Sequence, residues 1–408
     1  MAVLLAALAM FGPFSIDTLF PAFPAVEAEF GASASAMQQT LSIYLIAYAG
    51  MSLFHGAISD SLGRRGVILA GVGVFTLAAV GAALSTSLGM LLAFRVLQGL
   101  SAGAGLIVGR AIIRDLYDGP EAQKLMASIS LLFGIAPAVA PLIGGWVLLA
   151  GTWRWIFWFL ALWAGVLLLA CVWRLPETHP HGRRQPFSVR NLLRGYAGML
   201  GDRQFWPLAI AGTGNFSALF VYISAAPAFV LDLLHLDPQH FAWLFIPAIS
   251  GMMLGAFLSG RLAGKVSAER TVGIGYAIML GASALNLATS VVFPEPRLPW
   301  SVLPIGLHAI GISLTFPTLT LLLLDRFPER RGGVSSMQAF VSLLINAVLA
   351  GAIVVHLSDD VRKLAAGAAV STVAGFVAWL VYRRLARREL ARERAAGPED
   401  YAEEAEPF

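Results

Sequence analysis

The sequence predicts an all-α membrane protein, with twelve transmembrane helices in two six-helix bundles and both termini in the cytoplasm. Three observations predict it. Hydrophobic residues make up 58% of the 408 residues and charged residues only 13%, about half the charged share of a soluble domain. The charges are segregated, leaving charge-free stretches over 30–59, 66–94, 125–153, 155–173, 204–231, 238–260, 271–294, 298–324, 332–358 and 364–382. The basic residues, finally, cluster in alternate connections.

Each charge-free stretch supplies the roughly 20 apolar residues that cross a ~30 Å hydrocarbon core. Adding the segments around Asp17 and Arg95 places spans near 2–24, 40–60, 66–86, 88–110, 126–150, 154–174, 204–229, 241–262, 271–292, 300–325, 333–357 and 362–383. Transmembrane strands would be about ten residues long and alternate in polarity, which these segments do not. With the even-to-odd connections and the C-terminal tail inside, 23 of the 28 Lys and Arg residues are cytoplasmic. Only Arg154, Arg297, Arg362 and Lys363 fall outside, and Arg95 lies within a span. This bias sets the orientation. It also accounts for the pI near 9.4, and a nucleic-acid surface is a poor alternative because the basic residues are spread over six connections. The apolar N-terminus lacks the basic region of a signal peptide and reads as a retained first span. Its short lead-in suggests a truncated start or a late initiating Met. A lone Cys171 excludes an intramolecular disulfide.

The longest internal polar interval, 175–203, carries Pro176, Pro180, Gly182, Pro186 and six basic residues counted from Arg174. It fits a cytoplasmic linker between bundles 1–174 and 204–383, with 384–408 as a solvated helix end followed by disorder. The tail has no lipidation motif. A weak echo supports two halves: Pro24, ending the first span, precedes Gly56 by 32 residues, and Pro227 precedes Gly260 by 33. Parallel six-helix halves enclosing a midplane site are a recurring transporter plan.

Taken along the chain, several elements carry chemistry. Asp17 interrupts the apolar first span in "FSIDTLFPAFP", and a carboxylate at membrane depth is a functional-site hypothesis with a nearby partner. After the second span, "HGAISDSLGRRG" offers Gly56 for close helix contact, Gly63 for a tight turn, and Asp60, Arg64 and Arg65 as opposite charges at the inner surface. In the fourth span, "RVLQGLSAG" puts Arg95, Gln98 and Gly99 on one face. A guanidinium stays charged in a protein, so it requires a partner, a ring of carbonyls or a watered cavity. Asp17 and Arg95 each lie seven residues from the outer end of their span, roughly 10 Å deep at 1.5 Å per residue. The spacing therefore predicts that they meet or share water. The fifth span reads "GIAPAVAPLIGG": Gly134, Pro137, Pro141 and Gly145 share a face, with Gly144 beside them. Prolines kink such a helix and glycines admit a close neighbour.

Together with "TWRWIFWFLA", "RLPET", "LFVYISAAPAFV" and "RRGGVSSMQAF", these strings over roughly residues 10–380 resemble the major facilitator superfamily. Within it they look like the Bcr/CflA family, the bicyclomycin- and chloramphenicol-resistance branch of drug/proton antiporters. The resemblance implies the major facilitator fold and proton-driven efflux of small, often amphiphilic compounds across a bacterial inner membrane. It implies a cytoplasmic latch of Gly56, Asp60, Gly63, Arg64, Arg65, Arg114 and Asp115. This latch is asymmetric, because "SGRLAGKVSAER" keeps Gly260, Arg261 and Gly264 but lacks the acid. It implies proton transfer at the fourth-span motif and export from the fifth-span antiporter motif, although Ala140 stands where a Gly is usual.

Tyr44, Tyr48, Asn215, Phe216, Phe220, Tyr222 and His308 are the polar and aromatic candidates for a substrate cavity. The expected partners are a small drug or metabolite, protons and the lipid bilayer, with no cofactor, no metal and a monomeric state. A proton-coupled importer, or a metabolite exporter, on the same fold is the close alternative. An intramembrane enzyme needs convergent ligands or a nucleophile with its base, and the chain has no HExxH, GxSxG or clustered intramembrane His. A non-transporting sensor has no need of paired buried charges.

Overall fold

A computed structural model describes residues 1–117, 125, 136–137, 139–180, 182, 184, 186–293 and 295–396. The expected first span is not one helix. It consists of α1 (Ala2–Ala9), α2 (Phe11–Asp17), a 3-10 turn (Phe20–Ala22) and α3 (Phe23–Phe30), with a 48° bend between Val3–Ala9 and Phe14–Phe30. Pro21 supplies the reason at Asp17: it lacks the N–H that would pair with the Asp17 carbonyl four residues earlier. Pro24 does not end the span as expected. It sits in the first turn of α3, where a missing N–H leaves nothing unpaired, and Gly31 at φ 61° ends the helix.

The second span, α4 (Ala34–Leu62), starts six residues before its expected start at 40 because Ser33 caps it, accepting from the Ala36 N–H. The expected loop after it shrinks to one residue, Gly63, before α5 (Arg64–Ala83) begins. The fourth span is α6 (Leu88–Gly103), a π-helical turn (Ala104–Val108) and α7 (Gly109–Leu116). Of the fifth, the described continuous part is α8 (Val139–Ala150). The sixth, α9 (Arg154–Arg174), falls where the sequence places it.

The linker contains a helix that its prolines and charges conceal. α10 (Val189–Gly201) is capped by Ser188 and turns Leu192, Tyr196 and Met199 toward the protein. The second half continues with α11 (Phe205–Ser224), a π-helical turn (Ala228–Leu233) after Pro227, α12 (Ala242–Leu262), α13 (Ala268–Val292), α14 (Leu303–Arg326), α15 (Arg331–Val348) and α16 (Val361–Ala396). Pro247 and Pro317 lie inside α12 and α14 without ending them. At 36 residues, α16 is about 54 Å long and overshoots the expected end at 383 well beyond a hydrocarbon core. Among the described residues, ten helices are long and apolar enough to cross a membrane, besides the bent first pair and the shorter α8.

Helices of the first half pack chiefly on one another, as do those of the second, and α4 against α15 is the main contact between them. Three hydrogen bonds cross directly from one half to the other among the described residues. Gln38 Nε2 donates to the Ser224 carbonyl (2.9 Å), Gln39 Nε2 to Gly351 (3.1 Å) and Ser42 Oγ to Ala347 (2.8 Å). All three lie at the start of α4, the end that the charge bias assigns to the outside.

Candidate functional site

Arg95 is 1% exposed and Asp17 3%, but the structure does not join them. Arg95 Nε donates to the Thr40 carbonyl (3.1 Å), and Nη1 to the Ser15 carbonyl (3.0 Å), Ser15 Oγ (2.8 Å) and Gln98 Oε1 (2.8 Å). Its guanidinium also lies 4.5 Å from the Tyr44 ring centroid, a favourable cation–π placement. Every acceptor is neutral. The expectation that the two charges meet is thereby corrected: a carbonyl and a hydroxyl of α2, a carbonyl of α4 and the Gln98 amide oxygen solvate this cation through Nε and Nη1.

No hydrogen bond or ion pair reaches the Asp17 carboxyl among the described residues. The two charges are nevertheless linked through neighbours. Arg95 grips Ser15, two residues before Asp17, and lies over the Tyr44 ring. Gln98 orients Arg95, and Gly99 allows α6 to approach α4, since a Cβ there would strike the Tyr44 carbonyl.

The fifth-span glycines complete this environment. A Cβ on Gly144 would collide with the Thr18 carbonyl, so α8 rests directly on the chain that follows Asp17. A Cβ on Gly145 would meet the Pro238 carbonyl of the second half at 2.6 Å. One glycine pair thus touches both the acid-bearing segment and the opposite half. Pro141 is buried and Pro137 half-buried, while Gly134 lies outside the described residues.

At the end of the first half that the charge bias assigns to the inside, Gly63 adopts φ 100°, a region that favours glycine. A Cβ there would also run into the Glu177 carboxylate. Arg64 pairs with Asp60 and with Asp115 (3.2 Å) and donates to Ser59 Oγ (2.6 Å). Glu177 accepts from the Arg64 N–H (2.9 Å) and the Arg65 N–H (3.3 Å), capping α5, and Thr178 Oγ1 donates to Asp115 (2.8 Å). The Arg65 side chain donates to the Val172 carbonyl instead of joining an acid. Arg114 is exposed and makes no ion pair among the described residues. Gly56 differs from expectation: it lies within α4, and a Cβ there would meet open space, so it serves no close contact. Hydrogen bonds and ion pairs of Asp60, Arg64, Asp115 and Glu177 join the first half and the linker and reach no residue of the second half among the described residues.

In the second half Arg261 pairs with no acid among the described residues and lies 4.7 Å from the Phe257 ring. The inner charge cluster there forms elsewhere, with Arg326 pairing with Asp202 (3.0 Å) and Glu389 (2.8 Å).

The seven cavity candidates separate into groups. Tyr44 and Tyr48 stack edge to face within the first half, at 6.3 Å, against α2 and α6. Asn215 donates to Thr315 (2.8 Å), Asn286 donates to the Tyr222 hydroxyl (2.8 Å), and His308 Nε2 bonds Thr372 (3.0 Å). These three face the interior of the second half, where Tyr222 and His308 border a void of about 10 Å³. Phe216 and Phe220 lie tilted against each other at 6.2 Å, on the helix that also sends Thr213 and Ser217 to α15. Residues the sequence reading missed include Ser15, Thr40 and the Gln38–Gln39–Ser42 row. Their signal was polarity within or at the start of an apolar span.

Comparisons with known proteins fit this arrangement. The family profile described as Major Facilitator Superfamily matches residues 3–350. The uncharacterized MFS-type transporter YdgK of Bacillus subtilis is 31% identical over 353 residues, 86% of this chain and 87% of that protein. The bicyclomycin resistance protein homolog of Haemophilus influenzae is 28% identical, covering 86% and 88%, and the multidrug resistance protein MdtM of Escherichia coli (strain K12) is 27% identical, covering 82% and 81%. Among solved structures, an inward-facing bacterial homolog of the human lysosomal transporter Spinster superposes with TM-score 0.68 at 18% identity, over 93% of this chain and 94% of that one. Profile, relatives and fold agree: the chain is a multi-pass membrane transporter and belongs to the major facilitator superfamily.

Proposed function

We propose that the protein exports small amphiphilic drugs in exchange for protons, with Asp17 as the coupling carboxyl. The observation that carries the reading is the placement of Asp17: buried, without a hydrogen-bond partner among the described residues, in a helix broken by Pro21, and pressed by α8. A buried carboxylate is costly in hydrocarbon unless paired or watered. Conformations that admit water to Asp17 tolerate the charged form, and conformations that enclose it tolerate the protonated one. Proton uptake and enclosure are thereby linked.

Arg95 acts here as a positioning residue. Its hold on Ser15 fixes the helix break next to Asp17 against α4, and α4 forms the cross-half hydrogen bonds at the outer end. Movement of the Asp17 segment thus has a mechanical route to the contact that opens and closes that end. The charge cluster around Arg64 serves as the inner latch, engaging the second half in the alternate state. Phe216 and Phe220 are the drug-contacting candidates that remain. The names of the relatives, bicyclomycin resistance and multidrug resistance, support drugs as the cargo class.

The test is reconstitution in liposomes with an imposed pH gradient and ethidium, chloramphenicol or bicyclomycin as cargo. Gradient-accelerated drug movement against the proton flow, lost in Asp17→Asn, supports the reading. Drug movement together with protons makes the protein an importer, and gradient-driven movement retained in Asp17→Asn removes that residue from coupling.

A further inference from the structure

The linker helix α10 has three faces rather than two. Leu192, Tyr196 and Met199 face the protein. Val189, Leu193 and Leu200 fall within an arc of about 40° at 100° per residue and are 44%, 51% and 38% exposed. Next to that stripe, away from the protein, stand Arg190 and Arg194, both exposed and without an ion pair among the described residues. An apolar stripe bordered by cations is how a helix lies in a headgroup layer.

The fold also fixes the depth of this helix. Trp206, at the start of α11 and 43% exposed, donates its indole N–H to the Leu200 carbonyl (3.1 Å). Exposed Trp at the end of a membrane-spanning helix marks the interface, so Leu200 sits at that level. The protein face of α10 touches both halves. Tyr196 donates to the Leu53 carbonyl of α4 (2.8 Å), and a Cβ on Gly333 of α15 would lie 3.0 Å from Met199. Burial pushes the Tyr196 hydroxyl upward, keeping it protonated and donating.

We infer that α10 is a binding surface for anionic phospholipid, with Val189, Leu193 and Leu200 in the acyl boundary and Arg190 and Arg194 on headgroup phosphates. The occupant is a lipid because the cations flank an apolar stripe at interface depth, which a free phosphate would leave uncovered. Since the same helix is fastened to α4 and α15, lipid held there steadies the inner ends of the two halves relative to one another. Each basic residue at an anionic surface is worth about fivefold in binding, so two give about 30-fold.

The test uses the full-length chain with Leu193→Cys carrying an NBD fluorophore, buried Cys171 being left in place. Detergent-solubilised protein is titrated with brominated phosphatidylglycerol or brominated phosphatidylcholine. The expected result is quenching by phosphatidylglycerol at about 30-fold lower concentration, preference lost in Arg190→Gln/Arg194→Gln and kept in Arg190→Lys/Arg194→Lys. Equal quenching by the two lipids, or quenching by neither, overturns the proposal. So does release of phosphatidylglycerol by an equal concentration of inorganic phosphate, which would assign the cations to free phosphate. Emission that depends on protein concentration and not on lipid would assign the stripe to a second copy.

Discussion

Arg95→Lys and Asp17→Asn, made singly and together, separate two accounts of the buried guanidinium. Lysine keeps the charge but has one nitrogen, whereas Arg95 reaches Thr40 with Nε and Ser15 and Gln98 with Nη1. A lysine that stays with Ser15 and Gln98 gives up the Thr40 bond, about 1.5–3 kcal/mol for a charged donor, and the stacking on Tyr44, about 1–2 kcal/mol when desolvated. The expected loss of stability is about 2.5–5 kcal/mol. Asp17→Asn breaks no hydrogen bond among the described residues, and about 1 kcal/mol is expected from the unpaired amide. Without a direct contact the two changes add, giving a coupling energy below about 1 kcal/mol. SDS-titrated unfolding of the four proteins reads all these quantities. A coupling of about 3–5 kcal/mol, with Asp17→Asn strongly destabilising, is the signature of a buried ion pair and would refute the neutral-oxygen account.

Three further outcomes are expected. Gly63→Ala, at φ 100° with a Cβ against Glu177, costs about 2–3 kcal/mol. Gly56→Ala, in open space within α4, is neutral or gains up to about 1 kcal/mol, and thermal unfolding in detergent compares the two. Gly144→Ala displaces α8 from the Thr18 carbonyl and lowers gradient-driven transport at least tenfold in liposomes. Surface exposure of a mild detergent extract to trypsin should remain as in wild type, whereas a globally unfolded variant would be cleaved throughout. Ser42→Cys with Gly351→Cys places the two Cβ positions in near contact across the outer end. Oxidation should cross-link the halves and arrest transport, and reductant should restore it, while transport that survives complete cross-linking rules out opening at this seam.

Much of this fold is readable in the sequence because lipid imposes a length and a polarity on each helix. The sixth span matches to the residue, since Arg154 and Arg174 bracket an apolar run with no proline and no charge inside. The first span fails because three prolines in an otherwise apolar string have opposite consequences: Pro21 breaks pairing at Asp17, whereas Pro24 starts a helix. Pro247 and Pro317 show the reverse, tolerated where neighbouring helices hold the backbone. α10 escaped notice because its buried row of three is embedded among arginines and follows a proline-rich stretch. At the site, residue depth along the helices was legible and placed Asp17 and Arg95 near the same level. Azimuth was not, and the partners of Arg95 depend on it. Glu177 was in view only as part of a string, because its capping role at Arg64 and Arg65 spans more than a hundred residues of sequence.

The coupling role of Asp17 is tested most directly by proton release on drug binding. Detergent-solubilised protein in weakly buffered solution with a pH indicator is mixed with a compound that it transports in liposomes. The account predicts that wild type releases protons on binding, and that Asp17→Asn binds the same compound with the release abolished. Undiminished proton release from Asp17→Asn would contradict it.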